Sequence, residues 1–84
     1  MVTDEVIKDI LRQNEAMSGH VDTLGENDDL FEKGLDSFGS VQLMLALEER
    51  FEVEFPDSLL NRRSFSSIRT IRETVTKLTL GAAA

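Results

Sequence analysis

The sequence predicts an all-α protein: a bundle of three longer helices and one short helix, with a long loop between the first two. In several segments, apolar residues recur at spacings of three and four, the pattern of an amphipathic helix. No segment shows the strict apolar–polar alternation of a half-buried strand. The chain of 84 residues suffices for one domain with a modest core. We therefore expect a single domain over residues 1–84, with a frayed tail from about residue 80.

The first helix is predicted to run from an N-cap at Thr3 to about Met17. A threonine side chain can accept a hydrogen bond from the free N–H groups of the first turn. The two acidic residues that follow it suit the positive end of the helix dipole. Ile7, Ile10 and Leu11 then recur at helical spacing, which indicates the face that packs on the core.

Residues 18–35 are predicted to form a long loop, because they are rich in glycine, asparagine and aspartate. Its few apolar residues are expected to hold it against the core: Val21, Leu24, Leu30 and Phe31. Loops of this length in compact domains are usually functional or disordered.

The second helix is predicted to begin at Asp36 or Ser37 and to reach about Phe51. Pro56 prevents any continuation, and Asp57 can cap a short third helix through about Arg63.

The last helix is expected to be capped by Ser66 or Ser67 and to end at Gly81. One apolar stripe identifies its buried face: Ile68, Ile71, Val75 and Leu78.

Helix two has two apolar arcs when its residues are placed 100° apart. The first is an ordinary core-facing stripe: Leu43, Met44, Leu47 and Phe51. The second contains Phe38, Val41 and Leu45, and Ser37 lies at one end of it. This second arc either packs beneath the long loop or forms a partly exposed docking surface. Polar residues border it: Gln42, Glu48 and Glu49.

Composition argues against several classes of function. The net charge of −7 argues against nucleic-acid binding, which depends mainly on Lys and Arg. The absence of cysteine excludes disulfides, thiolate metal sites and cysteine nucleophiles. No run of about 18 apolar residues exists to insert into a membrane, and the N-terminus does not resemble a signal peptide. We therefore expect a cytoplasmic protein.

The charge is unevenly distributed along the chain. Fifteen of the sixteen acidic residues lie at or before Asp57, whereas five of the nine basic residues follow it. The acidic part favours partners with basic surfaces, which it attracts at long range.

No residues form a convincing catalytic or metal site. His20 has neither a second histidine nor a cysteine to complete a site, so it is interpreted as a solvated loop residue. Residues 29–34 resemble a calcium loop, but Phe31 and Lys33 stand where oxygen ligands are required. Acid–base or nucleophilic catalysis needs a base held close to a nucleophile, in a pocket that shifts pKa values. We expect a protein that is not an enzyme, with no catalytic residue and no metal.

The segment Asp36-Ser37-Phe38 is the strongest candidate for a functional site. A serine at this helix start faces solvent, with a carboxylate before it and apolar side chains beside it. Taken alone, such a serine is most often only a capping residue. A phosphate group attached to it would lie near the free N–H groups of the helix, a favourable placement that contributes about 0.3–1 kcal/mol.

The stretch LFEKGLDSFGSVQLMLALEERFEVEF, residues 30–55, resembles the phosphopantetheine-dependent carrier proteins, the acyl-carrier-like family. In that family a D-S-[LM] motif opens the second helix of a four-helix bundle. Its serine carries 4′-phosphopantetheine, whose thiol holds an acyl or aminoacyl group as a thioester. The specific part is D-S-F after F-x-x-G-L and before V-Q-L-x-x-x-L-E-x-x-F. With a weaker match at the start of the last helix, the resemblance covers roughly two thirds of the chain.

The resemblance assigns roles to matching positions. It implies that Ser37 is the attachment residue and that Asp36 is the acid that the family's transferases recognise. It also implies that helix two binds partners through apolar positions and acidic positions: Phe38, Val41, Leu45, Glu48 and Glu49.

Two departures from the fatty-acid carriers indicate a subgroup. Gln42 stands where those carriers usually have an acid, and Arg62 and Arg63 stand where their third helix is acidic. These three residues are added to the expected partner surface. The segment G-S-V-Q-L is similar to D-alanyl and other free-standing aminoacyl carriers instead.

The sequence therefore predicts a free-standing, monomeric carrier that bears 4′-phosphopantetheine on Ser37 and delivers an aminoacyl or acyl group. Its implied partners are a phosphopantetheinyl transferase, an adenylating amino-acid or acyl ligase, and a downstream acceptor enzyme. Two alternatives stay open: a fatty-acyl or polyketide carrier, and an unmodified helical interaction module.

Overall fold

The computed structural model describes residues 2–14 and 16–81. Three α-helices make up most of this part: α1 (Asp4–Arg12), α2 (Ser37–Phe51) and α3 (Ile68–Gly81). Three short 3₁₀ turns lie between them: Val21–Thr23, Asp57–Leu59 and Arg62–Phe65. The described residues include no strand, so the all-α prediction is confirmed. Gly81, the predicted end of the last helix, is the last described residue of α3, and the alanine tail that was predicted to fray lies outside the described residues.

The prediction that the first helix reaches Met17 is wrong, because α1 ends at Arg12. Its N-cap is Thr3 as expected, with the side-chain oxygen accepting from the Val6 amide over 3.3 Å. The early end is explained by Asn14, whose side chain bonds both to its own turn and to the Gly39 carbonyl of α2. The Asn14 side chain accepts a hydrogen bond from the Ala16 amide over 3.0 Å, and such side chains compete with helical hydrogen bonding.

The long loop before α2 is held against the core, as predicted. Val21, Leu24 and Leu30 are buried, and Phe31 packs against them half-buried. Two backbone hydrogen bonds attach the loop to the start of α3. The Leu30 amide donates to the Ser66 carbonyl over 2.8 Å, and the Arg69 amide donates to the Glu26 carbonyl over 2.9 Å.

Arg72 joins three parts of the fold. Its guanidinium donates to Asp4 of α1 over 2.5 Å and to Glu26 of the loop over 3.1 Å. These hydrogen bonds raise the pKa of Arg72. Because Arg72 lies on α3, the contacts connect α1, the loop and α3 at one point.

The predicted short third helix is present only as two separate 3₁₀ turns, Asp57–Leu59 and Arg62–Phe65. Asp57 does not cap the first turn, because Pro56 occupies the cap position. The backbone of Leu60, with φ −85° and ψ 69°, leaves the helical region and separates the turns. Asn61 then starts the second turn, where its side chain accepts from the Ser64 amide over 3.0 Å.

The core lies where α1, α2 and α3 meet. Its fully buried side chains come from every helix and from the loop: Ile7, Leu11, Met17, Leu30, Leu43, Leu47, Ile68, Ile71 and Val75. The rings of Phe55 and Phe65 are 5.3 Å apart and close one end of this core. Ser67 caps α3, with its Oγ accepting from the Thr70 amide over 3.1 Å. None of the helices in the described part has the length and apolar character needed to cross a membrane.

Candidate functional site

Ser37 is the first residue of α2, and its side chain is exposed. Asp36, the residue before it, has extended backbone and is the N-cap of the helix. Its carboxylate accepts from the Gly39 amide over 2.6 Å, which satisfies one of the free N–H groups of the first turn. Asp36 therefore fixes the helix start that presents the Ser37 hydroxyl to solvent.

The first turn of α2 packs closely on the turn that follows α1. A Cβ atom on Gly39 would lie 3.0 Å from Asp36 Oδ1 and 3.2 Å from the Ala16 Cβ. The Asn14 side chain, only 6% exposed, donates to the Gly39 carbonyl over 2.9 Å. Asn14 and Gly39 were not among the residues predicted to determine the site. A glycine in the first turn of an otherwise strong helix was the available signal, because glycine there indicates a close approach.

The second apolar arc of α2 is exposed, so the alternative that it packs beneath the loop is wrong. Phe38, Val41 and Leu45 are 71%, 52% and 54% exposed. They follow Ser37 along the outer face of the helix, and we call them the apolar strip. Leu43 and Leu47 on the opposite face are buried, as predicted. Three neighbouring exposed apolar side chains, as opposed to scattered ones, are typical of a protein interface.

The polar residues beside the apolar strip differ in their surroundings. Gln42 and Glu49 are exposed. Glu48 is half-buried, and its carboxylate accepts from the Phe55 amide over 2.9 Å. Glu48 thus has a structural contact with the segment after α2, in addition to any role at the surface.

A groove of about 530 Å³ lies between α2 and the 3₁₀ turn Arg62–Phe65, and Ser37 is on its wall. More than half of its lining residues are apolar: Phe31, Leu35, Val41, Met44, Leu60 and Phe65. The groove is open to solvent, because Val41 and Leu60 in its wall are 52% and 44% exposed.

The two arginines predicted to face partners occupy different positions. Arg62 lines the groove, and its guanidinium carbon lies 4.4 Å from the centre of the Phe31 ring. A cation stacked on an aromatic ring at an exposed site gains about 0.5–1 kcal/mol. Arg63 is exposed and is not part of the groove lining. Within residues 2–14 and 16–81, neither arginine forms an ion pair with a carboxylate.

The site contains little that could act as a catalytic or metal centre. His20, the single histidine, is exposed in the long loop. In the part of the chain that the structure describes, no three His, Cys, Asp or Glu side chains are grouped to hold a metal ion.

Comparison with known families identifies the surroundings of Ser37. The family described as "Phosphopantetheine attachment site" matches residues 5–78. The chain belongs to this family. Its prosthetic group is covalently attached 4′-phosphopantetheine, as the sequence resemblance implied.

Two kinds of relative within the phosphopantetheine attachment-site family support the predicted subgroup. An aminoacyl carrier protein of Agrobacterium fabrum is 52% identical over 69 residues, covering 82% of this chain and 83% of that protein. A D-alanyl carrier protein of Streptococcus sanguinis is 42% identical over 53 residues, covering 62% and 67% respectively. The resemblance to aminoacyl and D-alanyl carriers is therefore confirmed.

Solved structures of the same family share the fold. One is the crystal structure of an engineered Bradyrhizobium japonicum glycine:[carrier protein] ligase complexed with a carrier protein from Agrobacterium tumefaciens and AMP. Its matched chain is 49% identical, with a TM-score of 0.83 over 88% of this chain and 99% of that chain. A solution structure of an A. tumefaciens protein is 47% identical, with a TM-score of 0.73 over 98% and 100%.

The residues at the start of α2 fit the prosthetic group of this family. A phosphodiester needs an accessible hydroxyl, and Ser37 provides one. The attached anion would lie at the positive end of the α2 dipole, where phosphate groups are stabilised. Arg62, on the wall of the same groove, adds a positive charge.

Proposed function

We propose that the chain is an aminoacyl carrier whose 4′-phosphopantetheine is attached to Ser37. The observation that carries this proposal is the exposed Ser37 at the start of α2, directly after a capping aspartate and beside the exposed apolar strip. Membership of the phosphopantetheine attachment-site family, over residues 5–78, supports the same assignment.

Attachment requires a transferase that uses coenzyme A as the donor. The Ser37 oxygen forms a bond to the phosphorus of the phosphopantetheine part, and the bond from that phosphorus to the adenosine bisphosphate part breaks. The hydroxyl proton goes to a base on the transferase. We assign this base to the transferase, because the Asp36 carboxylate serves as the helix cap and accepts from the Gly39 amide.

When bound, the arm supplies a thiol that holds the aminoacyl group as a thioester. The chain's own residues present it. Asp36 and Gly39 hold the first turn of α2 in place, so the arm begins from a fixed point. The dipole of α2 favours the phosphodiester by about 0.3–1 kcal/mol, which orients the base of the arm without immobilising its far end.

An adenylating ligase for a small amino acid is the proposed loading partner. Carrier proteins similar to this chain have been crystallised with a glycine:[carrier protein] ligase, at TM-scores of 0.81 and 0.83. Glycine is therefore the first amino acid to test. The apolar strip is the proposed contact surface for the ligase, and Gln42, Glu49 and Arg63 are proposed as its polar border. A contact surface built on three exposed apolar side chains is small, and small interfaces suit complexes that form and dissociate quickly.

Glu48 is a weaker candidate for partner binding than the sequence suggested. Its carboxylate is bound to the Phe55 amide, and a partner would have to compete for it. We therefore place it at the edge of the proposed surface.

The open groove favours an aminoacyl cargo over a long fatty-acyl chain. A charged aminoacyl group gains nothing from burial in an apolar environment. A long acyl chain gains from an enclosed apolar cavity, whereas Val41 and Leu60 leave the groove beside Ser37 exposed to water.

The chain is proposed to act with enzymes and not as one. A downstream enzyme would accept the aminoacyl group from the thioester. A single free-standing domain, a monomeric state and a cytoplasmic location stay predictions, as does the absence of nucleic-acid binding.

Intact-mass measurement tests the attachment. The protein is incubated with coenzyme A and a phosphopantetheinyl transferase of broad specificity. We expect the mass to increase by one phosphopantetheine in the wild type and in Ser40→Ala, a matched control three residues along α2. Ser37→Ala should show no increase. An unchanged wild-type mass, or an equal gain in Ser37→Ala, would contradict the assignment.

Loading of the modified protein tests the cargo. With ATP and a glycine:[carrier protein] ligase, we expect formation of a hydroxylamine-sensitive glycyl thioester. Exclusive loading by a fatty-acyl ligase would refute the aminoacyl assignment. Ligase binding that is equally tight in Ser37→Ala and in the modified wild type, with no thioester formed, would support the interaction module.

A further inference from the structure

We propose that Arg62 binds the phosphodiester at Ser37 and so positions the base of the arm in the groove, with Phe31 as the platform that holds the guanidinium. This inference rests on the proposed attachment to Ser37. Arg62 then has a role within the chain, whereas the sequence predicted that Arg62 and Arg63 both lie on the partner surface.

The position of Arg62 relative to Ser37 supports this role. Ser37 belongs to α2 and Arg62 to the 3₁₀ turn Arg62–Phe65, yet both line the same groove. Arg63 follows Arg62 directly in sequence and does not line it. Of the two neighbouring cations, only Arg62 shares a cavity with the attachment hydroxyl.

Arg62 supplies the positive charge that a phosphodiester on Ser37 would need. The groove lining holds one carboxylate, that of Asp36, and among the described residues Arg62 is its single cation. A phosphodiester on Ser37 adds a second negative charge next to Asp36. Arg62 offsets this repulsion, because an arginine guanidinium can bind two oxygens of a phosphate group at once.

The guanidinium of Arg62 is available to bind an anion. The guanidinium of Arg62 forms no ion pair within the described residues, so it does not have to leave a carboxylate partner. It is held instead over Phe31 at 4.4 Å. Stacking uses the face of the guanidinium plane and leaves its N–H groups, which lie at the edges, free to donate to an anion.

The test uses ³¹P and ¹H–¹⁵N NMR of the protein before and after modification, with the mass gain confirmed first. In the wild type, we expect modification to shift the Arg62 side-chain N–H signal and the backbone amides of Asn61 and Arg62. In Arg62→Gln, the shift of these amides should fall by more than half, and the ³¹P signal should move toward that of free pantetheine phosphodiester. Arg63→Gln, which removes the same charge one residue away, should keep the wild-type shifts.

Two further measurements separate specific binding from a general charge effect. Phe31→Leu, which keeps an apolar side chain but removes the ring, should reduce the same shifts. Raising NaCl from about 20 mM to about 500 mM shortens the Debye length from about 20 Å to about 4 Å. The wild-type ³¹P signal should then move toward the Arg62→Gln value, while that variant's signal stays in place.

Failure of the Arg62 inference and failure of the proposed function give different results. If the mass gain occurs but the Arg62 signals do not move, or if Arg63→Gln alters the ³¹P signal as much as Arg62→Gln, the inference is wrong and the proposed function stands. If no mass is gained, the proposed function itself fails.

Discussion

The side-chain amide of Asn14 donates a hydrogen bond to the carbonyl oxygen of Gly39 over 2.9 Å and is almost completely buried. The bond joins the turn after α1 to the first turn of α2, where Ser37 is located. Asn14 also accepts from the Ala16 amide, so one side chain ends the first helix and fixes the start of the second. The position of the proposed attachment residue therefore depends on a contact across 25 residues of sequence.

Replacing Asn14 by alanine should destabilise the fold. It would leave the Gly39 carbonyl and the Ala16 amide without their side-chain partner. Loss of a buried polar partner costs about 1–3 kcal/mol. Urea denaturation followed by circular dichroism measures this loss. Gln13→Ala, at the exposed neighbouring position, should stay within about 0.5 kcal/mol of the wild type. A loss of stability in Asn14→Ala no larger than that of the control would contradict the linking role.

Gly39→Ala should also be destabilising, although alanine normally stabilises a helix by about 1 kcal/mol relative to glycine. The new Cβ would lie 3.0 Å from the Asp36 carboxylate, 3.1 Å from Leu35 and 3.2 Å from Ala16. Overpacking of this kind costs about 1–3 kcal/mol. Thermal unfolding checks the sign. Gly19→Ala is the matched control, because a Cβ there has no neighbour within 4 Å. A Gly39→Ala variant that unfolds at a higher temperature than the wild type would show that the turn has room.

Much of the fold could be predicted from local sequence signals. The start and end of α2 follow from Asp36 as a cap and from the loss of helical pattern after Phe51, and the observed bounds agree. The end of α1 could not be predicted in this way. The apolar spacing continues toward Met17, but α1 ends at Arg12. Just beyond that end, the Asn14 side chain binds Gly39 of α2, which is 25 residues away in sequence. Tertiary contacts of this kind leave no local pattern.

The candidate site shows the same division. The motif around Ser37 indicated the attachment residue, but periodicity alone could not decide whether Phe38 and Val41 are covered. The structure shows them exposed, whereas the loop residues Leu30 and Leu35 are buried. The sequence also could not predict that Arg62 lines the groove and Arg63 does not. That difference depends on the backbone at Leu60, which breaks the predicted helix into two turns.

Arg72→Met should loosen the attachment of the long loop. The substitution removes the contacts to Asp4 and Glu26 but keeps an apolar stem of similar length. We expect faster hydrogen exchange at the Leu30 and Arg69 amides, whose bonds hold the loop to α3. Arg69→Met removes only an exposed pair with Glu73 and should leave exchange at the Leu30 amide unchanged. Equal acceleration in both variants would contradict a special role for Arg72.

The pH dependence of the Arg72 contribution follows from the direction of its pKa shift. Its hydrogen bonds raise the pKa of the guanidinium in the folded state. A raised pKa means that the contribution is fully present at neutral pH and is lost only when strongly alkaline solution deprotonates the group. The difference in hydrogen-exchange protection of the Leu30 amide between wild type and Arg72→Met should therefore be the same at pH values of about 7 and about 9. A difference that disappears by the higher pH would show another group to be responsible.

Asp36 is the N-cap of α2, and we propose that its charge is also recognised by the transferase. Asp36→Ala removes both and should cost about 1 kcal/mol of stability. Asp36→Asn keeps the capping oxygen and removes the charge, so its stability should stay close to that of the wild type. If the charge matters to the transferase, both variants should be modified more slowly in a mass-spectrometric time course. A wild-type rate in Asp36→Asn, together with a slow rate in Asp36→Ala, would assign the whole effect to the cap.

Val41→Ser should weaken productive contact with the loading ligase without unfolding the carrier. Val41 lies in the middle of the exposed strip, between Phe38 and Leu45. Removing a central apolar contact from a small interface should lower kcat/KM for aminoacylation by about tenfold, equivalent to about 1.4 kcal/mol. Stability should change by less than about 0.5 kcal/mol, because the side chain is already half in water. Leu80→Ser is the matched control, since Leu80 is 69% exposed at the far end of α3. Equal losses of kcat/KM in the two variants would mean that the ligase does not read the apolar strip.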